Sequence, residues 1–140
     1  MTVEVSELAA QSGWLRIDIV GNATAAGLVG EVLNPEGMLL HINDALLYIE
    51  EEAHAASTFN IGVAATGVDN DHIMAAFGMD ATDGTVHKAI GTDLASESAA
   101  TTPKGLLWPA DEYLTITSAA QVSTGLLASL FIHYIRLEDQ

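Results

Sequence analysis

The chain has no cysteine. That excludes a disulfide framework, a thiolate nucleophile and any zinc site built on sulfur. Basic residues are nearly missing as well: Arg16, Lys88, Lys104 and Arg136 stand against nineteen Asp and Glu, giving a formal net charge of −15 over 140 residues. Binding to nucleic acid or to an anionic membrane needs Lys and Arg to displace counterions, so neither partner is expected. Only three prolines occur, and the twelve glycines are spread out, with no repeat, low-complexity tract or linker. The longest strongly apolar run, residues 125–135, is too short to cross a bilayer as a helix. Residues 1–13 hold acids and no basic stretch, unlike a secretory signal.

What is present is a folding composition. Hydrophobic residues make up 49% of the chain and charged residues 16%, which suits one domain with a sizeable core. The acid excess keeps such a chain soluble. It also suits concentrated salt, where self-repulsion is screened, so an ordinary acidic protein and a halophilic one both fit.

Alternation of apolar and polar residues is the dominant pattern. In residues 14–20, Leu15, Ile17 and Ile19 share one face while Trp14, Arg16 and Asp18 share the other. Residues 28–33 read as a strand stopped by the turn signal Asn34-Pro35-Glu36-Gly37. Residues 57–64 place Phe59, Ile61 and Val63 on one face. Residues 73–79 and 85–90 are shorter candidates, and residues 94–104 read as a long exposed loop. Residues 113–117 and 126–137 read as a closing pair of strands around a small polar turn. The last is apolar on both faces, as in a strand covered from both sides. Residues 38–54 fit two descriptions. They alternate acceptably as strands 38–42 and 45–50, yet Asn43 could cap a helix carrying Leu46, Ile49, Ala53 and Ala56, which the Ala, Leu and Glu content favours. Eight or nine short strands with no βαβ alternation indicate an all-β sandwich or barrel.

Chemistry-bearing patterns are sparse. His41, His54, His72, His87 and His133 show neither an H-x-H pair nor H-E-x-x-H, although a sandwich could gather His41, His87 and His133 in space. A packed, hydrogen-bonded His133 is the simpler expectation. Asp69-Asn70-Asp71 and Asp80-Ala-Thr-Asp83-Gly84 offer oxygens of the kind calcium takes, but neither matches an EF-hand, and both have turn composition. Glu50-Glu51-Glu52 reads as a solvated run. No serine sits in a G-x-S-x-G elbow, and Gly27-Leu-Val-Gly30 lacks the features of a phosphate loop. The expectation is therefore no enzyme, no metal and no cofactor. Trp14, on the polar face of its strand, suits an interface; Trp108, before Pro109, suits a plug at the end of the core.

The segment Trp108-Pro-Ala-Asp-Glu-Tyr113-Leu-Thr-Ile-Thr, with Thr124-Gly-Leu and Phe131-Ile-His-Tyr-Ile, resembles small jelly-roll virion proteins of tailed phages and tailed archaeal viruses. Ala55-Ala-Ser-Thr-Phe-Asn-Ile-Gly-Val-Ala64 is similar to a strand of those proteins, and the resemblance spans roughly residues 39–136. It implies an all-β, jelly-roll-like antiparallel sandwich of about eight strands, with residues 45–50 a strand. In function it implies a capsid decoration (cement) protein, a homotrimer on the capsid exterior whose partner is the major capsid protein. Residues 1–13 are expected to form an N-terminal arm or edge strand ahead of a sandwich domain over 14–140, with Val3, Val5, Leu8 and Trp14 as partner-binding residues. The alternatives are a tail, turret or fibre-associated virion module, a small-molecule or carbohydrate-binding sandwich, and a cupin-like enzyme, the last disfavoured by the missing H-x-H.

Overall fold

The period-two pattern is realised throughout a computed structural model, which describes residues 12–88 and 106–137. Those residues form nine strands and no helix: β1 (Ser12–Val20), β2 (Gly27–Leu33), β3 (Leu40–Glu51), β4 (Thr58–Ala64), β5 (Met74–Gly78), β6 (Thr85–Lys88), β7 (Leu106–Trp108), β8 (Tyr113–Ala120) and β9 (Leu127–Arg136). They make two antiparallel sheets. One runs β1-β9-β3-β6, with β7 also on β3, and the other runs β2-β8-β4-β5. Pairing is nested, β1 with β9, β2 with β8, β3 with β6 and β4 with β5. A long antiparallel ribbon rolled up on itself gives this order, which is the jelly-roll arrangement.

The core lies between the two inner faces. Ile17 and Ile19 of β1, Leu47 and Ile49 of β3, and Leu130 and Ile132 of β9 meet Phe59, Ile61, Leu114 and Ile116 of the opposite sheet, and all of them are buried. Burying each such side chain contributes about 1.5–3 kcal/mol.

Within residues 38–54 the stretch Leu40–Glu51 forms one long strand, and Asn43 explains the double reading. The register of β3 on β9 shifts between Ile42 and Asp44. Buried residues are Leu40 and Ile42 before the shift, then Ala45, Leu47 and Ile49 after it. One extra residue at a β-bulge reverses the parity of the alternation, and in sequence that break looks like a helix cap. Tertiary pairing overrides the helical propensity of the segment.

Two expectations need correction. β8 and β9 are not a hairpin, because they lie in opposite sheets. Their connection crosses the end of the sandwich with Gln121 at φ 63° and Gly125 at φ 93°. Glycine suits position 125 because its φ lies in a region that residues with a side chain rarely adopt. Apolar inner faces on both strands are satisfied by facing each other across the core, which a hairpin would prevent. Nor is β9 covered from both sides by any described strand. Ala128, Leu130, Ile132 and Tyr134 are buried, but Leu127, Phe131, His133 and Ile135 on the outer face are only half-buried.

The turn after β2 is built around Asn34, which is buried. Its Nδ2 donates to the carbonyls of Met38 and Trp108, each at 2.8 Å, and its Oδ1 accepts from the backbone N–H of Glu36 and Gly37. This presents Glu36 to β9, where Oε2 accepts from the Tyr134 hydroxyl and from Nη2 of Arg136 at 2.6 Å. The Arg136 guanidinium, then the Tyr134 hydroxyl, hold the Glu36 carboxyl below its ordinary 4.5. A depressed folded-state value means this stabilisation is complete above the ordinary value and is lost as pH falls through the lower one. Acid titration of unfolding stability downward from about pH 5 is expected to show a loss that Glu36→Gln removes in part. An unchanged slope in that variant would discard the assignment.

Candidate interaction surface

Facing residues across antiparallel strands share a face, so the registers define the outer surface of the β1-β9-β3-β6 sheet. Trp14 stands opposite His133, Arg16 opposite Phe131, and Ser12 opposite Ile135. Phe131 continues to Leu46, Ser129 to Tyr48 and then Val86, and His41 lies between Ile135 and Leu107. An apolar and aromatic band thus crosses every strand of this sheet. Trp14 is 59% exposed, Val86 62% and Leu107 50%.

Local contacts fix the band's shape. The Trp14 and His133 rings lie 4.7 Å apart at 42°, and Nδ1 of His133 is hydrogen-bonded to Oδ1 of Asn43 at 2.5 Å. Asn43, the bulge residue, therefore sets the imidazole that supports Trp14. The Arg16 guanidinium lies 5.7 Å from the centre of the Phe131 ring and donates from Nε to Asp18 Oδ1 at 2.9 Å. Ser129 donates to the same oxygen at 2.9 Å. These contacts, Arg16 first, hold the Asp18 carboxyl below its ordinary range. On a chain of net charge −15, this face combines aromatic and aliphatic side chains with Arg16, His41 and His133 and the acids Asp18 and Asp44.

The opposite outer face is different. Gly62, Thr115 and Thr117 are buried there. The loop after β4 lies against Gly62, where a Cβ would sit 1.8 Å from Oδ1 of Asn70. Glu31 of β2 ties that loop down, accepting from the Thr66 hydroxyl at 2.6 Å and the Gly67 N–H at 2.9 Å. Asn70 Oδ1 accepts from the His72 N–H, and Asp83 Oδ1 from the Glu52 N–H. Asn70 thus makes a turn-type contact within its own loop, while Asp83 ties its loop to the chain just after β3.

Trp14 lies exposed on the outer face of β1. Val3, Val5 and Leu8, the other candidate partner-binding residues, lie outside the described residues. The three histidines considered as a cluster are not brought together. His41 and His133 are on the outer face, while His87 stands opposite buried Leu47 and turns toward Phe77, centroids 4.8 Å apart. Among the described residues, no group of three or more His, Cys, Asp or Glu is placed to hold a metal ion. Sequence reading missed the contribution of Phe131, Leu46 and Tyr48 to the band. Their positions opposite one another were fixed by strand pairings that no local pattern encodes.

No family model and no curated protein sequence matches the chain. Solved structures do. A chain of the capsid of Ralstonia phage GP4 is 16% identical with a TM-score of 0.58, the match covering 99% of this chain and 93% of that one. A chain of the cyanophage Pam1 capsid asymmetric unit is 13% identical with a TM-score of 0.54, covering 97% and 94%. A chain of the acid-stable capsid of Helicobacter pylori bacteriophage KHP30 is 9% identical with a TM-score of 0.52, covering 91% and 90%. At these identities what is shared is the fold, and it is shared from end to end with three chains drawn from phage capsids.

Proposed function

We propose that the chain is a non-enzymatic structural protein of a virion, and within it a capsid decoration protein bound as a homotrimer to the exterior of the shell. The observation that carries this reading is the end-to-end match with chains of three phage capsids. The apolar band on the β1-β9-β3-β6 sheet supplies a docking face, and the acidic remainder keeps outward-facing copies apart in solution. A protein that binds only the assembled surface stabilises the assembly by mass action, without any catalytic group.

Quantitative mass spectrometry of purified particles of the source virus tests the role. A copy number comparable to the major capsid protein is expected, together with a solution mass three times the 14.7 kDa chain. A few copies per particle would transfer the protein to a tail or fibre part, and absence would end the virion reading. Trp14→Ala is expected to weaken binding to assembled shells roughly 30-fold, as loss of an aromatic anchor does. Because Trp14 is exposed, its melting temperature should stay close to that of the wild type.

A further inference from the structure

Three segments distant in sequence meet at one corner of the sandwich, where β1 begins, β9 ends and the β2–β3 turn closes. Tyr134 and Arg136 of β9 both reach Oε2 of Glu36 in that turn. Nη1 of the same Arg136 donates to the Ser12 carbonyl at 2.9 Å, and its guanidinium lies 5.5 Å from the centre of the Tyr134 ring. The Tyr134 hydroxyl packs on Gly13, where a Cβ would sit 2.7 Å from it. The first residues of β1 are therefore held by two side chains as well as by the ladder to β9, and Glu36 positions both. This ion pair is sheltered. The Arg136 and Glu36 side chains are 20% and 19% exposed, against 62% and 68% for Arg16 and Asp18, so solvent and salt screen it less.

We propose that Glu36 is an acid-released latch on the start of β1. While its carboxylate is charged, it fixes Arg136 on the Ser12 carbonyl and Tyr134 against Gly13. Protonation leaves a sheltered guanidinium without its counter-charge, and a neutral carboxyl is a poorer acceptor. Arg136 then turns to water, and β1 frays from Ser12 towards Trp14 while the rest of the sandwich stays closed. The side chains acting on Glu36 are Arg136 and then Tyr134, and both keep its carboxyl below the ordinary 4.5. The latch is thus closed above that value and opens as pH falls through the lower one. Around it, β1 contributes the backbone of Ser12 and Gly13, and β3 places Leu40 opposite Arg136. The β7–β8 turn, which carries Asp111 and Glu112, meets the neighbouring Asn34 through the Glu112 carbonyl. The inference does not depend on a virion role, although Trp14 shares the strand end that the latch holds.

Hydrogen exchange of the full-length protein, read by peptide mass spectrometry and corrected for the intrinsic pH dependence of exchange, tests the latch. Stepping down from about pH 6, residues 12–16 are expected to lose protection roughly tenfold, the worth of one charge-assisted hydrogen bond. Residues 17–20 of the same strand and 113–120 of β8 should keep theirs over that range. In Glu36→Gln and in Arg136→Gln, residues 12–16 are expected to show the lowered protection already at the starting pH, with no further step. Protection lost uniformly along β1 and β8, or kept at residues 12–16 until the whole protein unfolds, would overturn the proposal. The wild-type profile alone decides those two outcomes, whatever the stability of the variants. A pH step unaltered in both variants would overturn it equally.

Discussion

Replacing Trp108 by alanine is expected to lower stability by about 3–5 kcal/mol, a large share of the roughly 5–15 kcal/mol that a domain has in total. Trp108 is fully buried at the end of three-residue β7, opposite equally buried Leu40. Its Nε1 donates to the Glu112 carbonyl at 2.9 Å, and its own carbonyl accepts from Asn34. Truncation leaves a large cavity and removes the donor that ties the β7–β8 turn. With about 3 °C of melting temperature per kcal/mol at this length, a fall of about 10–15 °C follows. Trp14→Ala is the internal control, a deletion of the same side chain from an exposed site. Equal melting shifts in the two variants would contradict the burial described for both.

The second large effect is at Gly21. A Cβ there would lie 1.7 Å from the backbone oxygen of Ser123 and 2.9 Å from Cβ of Leu126. Neither neighbour can yield cheaply. The Gly21 N–H donates to the Leu126 carbonyl, the Ser123 N–H donates to the Asn22 carbonyl, and the Asn22 N–H donates to the Ser123 hydroxyl. The end of β1 is thus laced to the β8–β9 connection, backbone against backbone. Gly21→Ala is expected to cost on the order of 3 kcal/mol or more, because the added methyl forces these segments apart. Gly30→Ala is expected to have the opposite sign, a gain of about 0.5–1 kcal/mol, since its Cβ enters open space and the unfolded chain loses freedom. Chemical denaturation of the two variants side by side reads both; a Gly21→Ala protein as stable as wild type would rule out the close packing at that junction.

Much of the fold is legible locally, and its failures have physical causes. β1 and β4 can be read directly because every second residue is apolar and the inner face follows from parity. β3 resists because a bulge at Asn43 changes parity mid-strand, and the same residue is a good helix cap. β7 is too short to carry a period at all, and its existence depends on the Trp108 plug and on pairing with β3. The hairpin reading of β8 and β9 fails for another reason: nearness in sequence does not imply pairing, and each strand has partners elsewhere, β9 between β1 and β3, and β8 between β2 and β4. Trp14 stands out in the sequence as a large aromatic on a polar face. Phe131, Leu46 and Tyr48 do not, because what makes them a surface is the register of three strands distant in the chain.

That nested pairing also sets when the protein can fold. β1 acquires its neighbour only when β9 exists, and β2 must wait for β8. During synthesis these two strands therefore stay without their sheet partners until β8 and β9 have left the ribosome, while β4 and β5 can pair at once. Contacts of such long range impose a large loop-closure entropy before they are rewarded, which places folding in the millisecond-to-second regime of non-local β-proteins. A ribosome-arrested chain ending before β9 should accordingly remain open to protease along β1, and its exposed apolar residues then become a task for chaperones rather than for the fold.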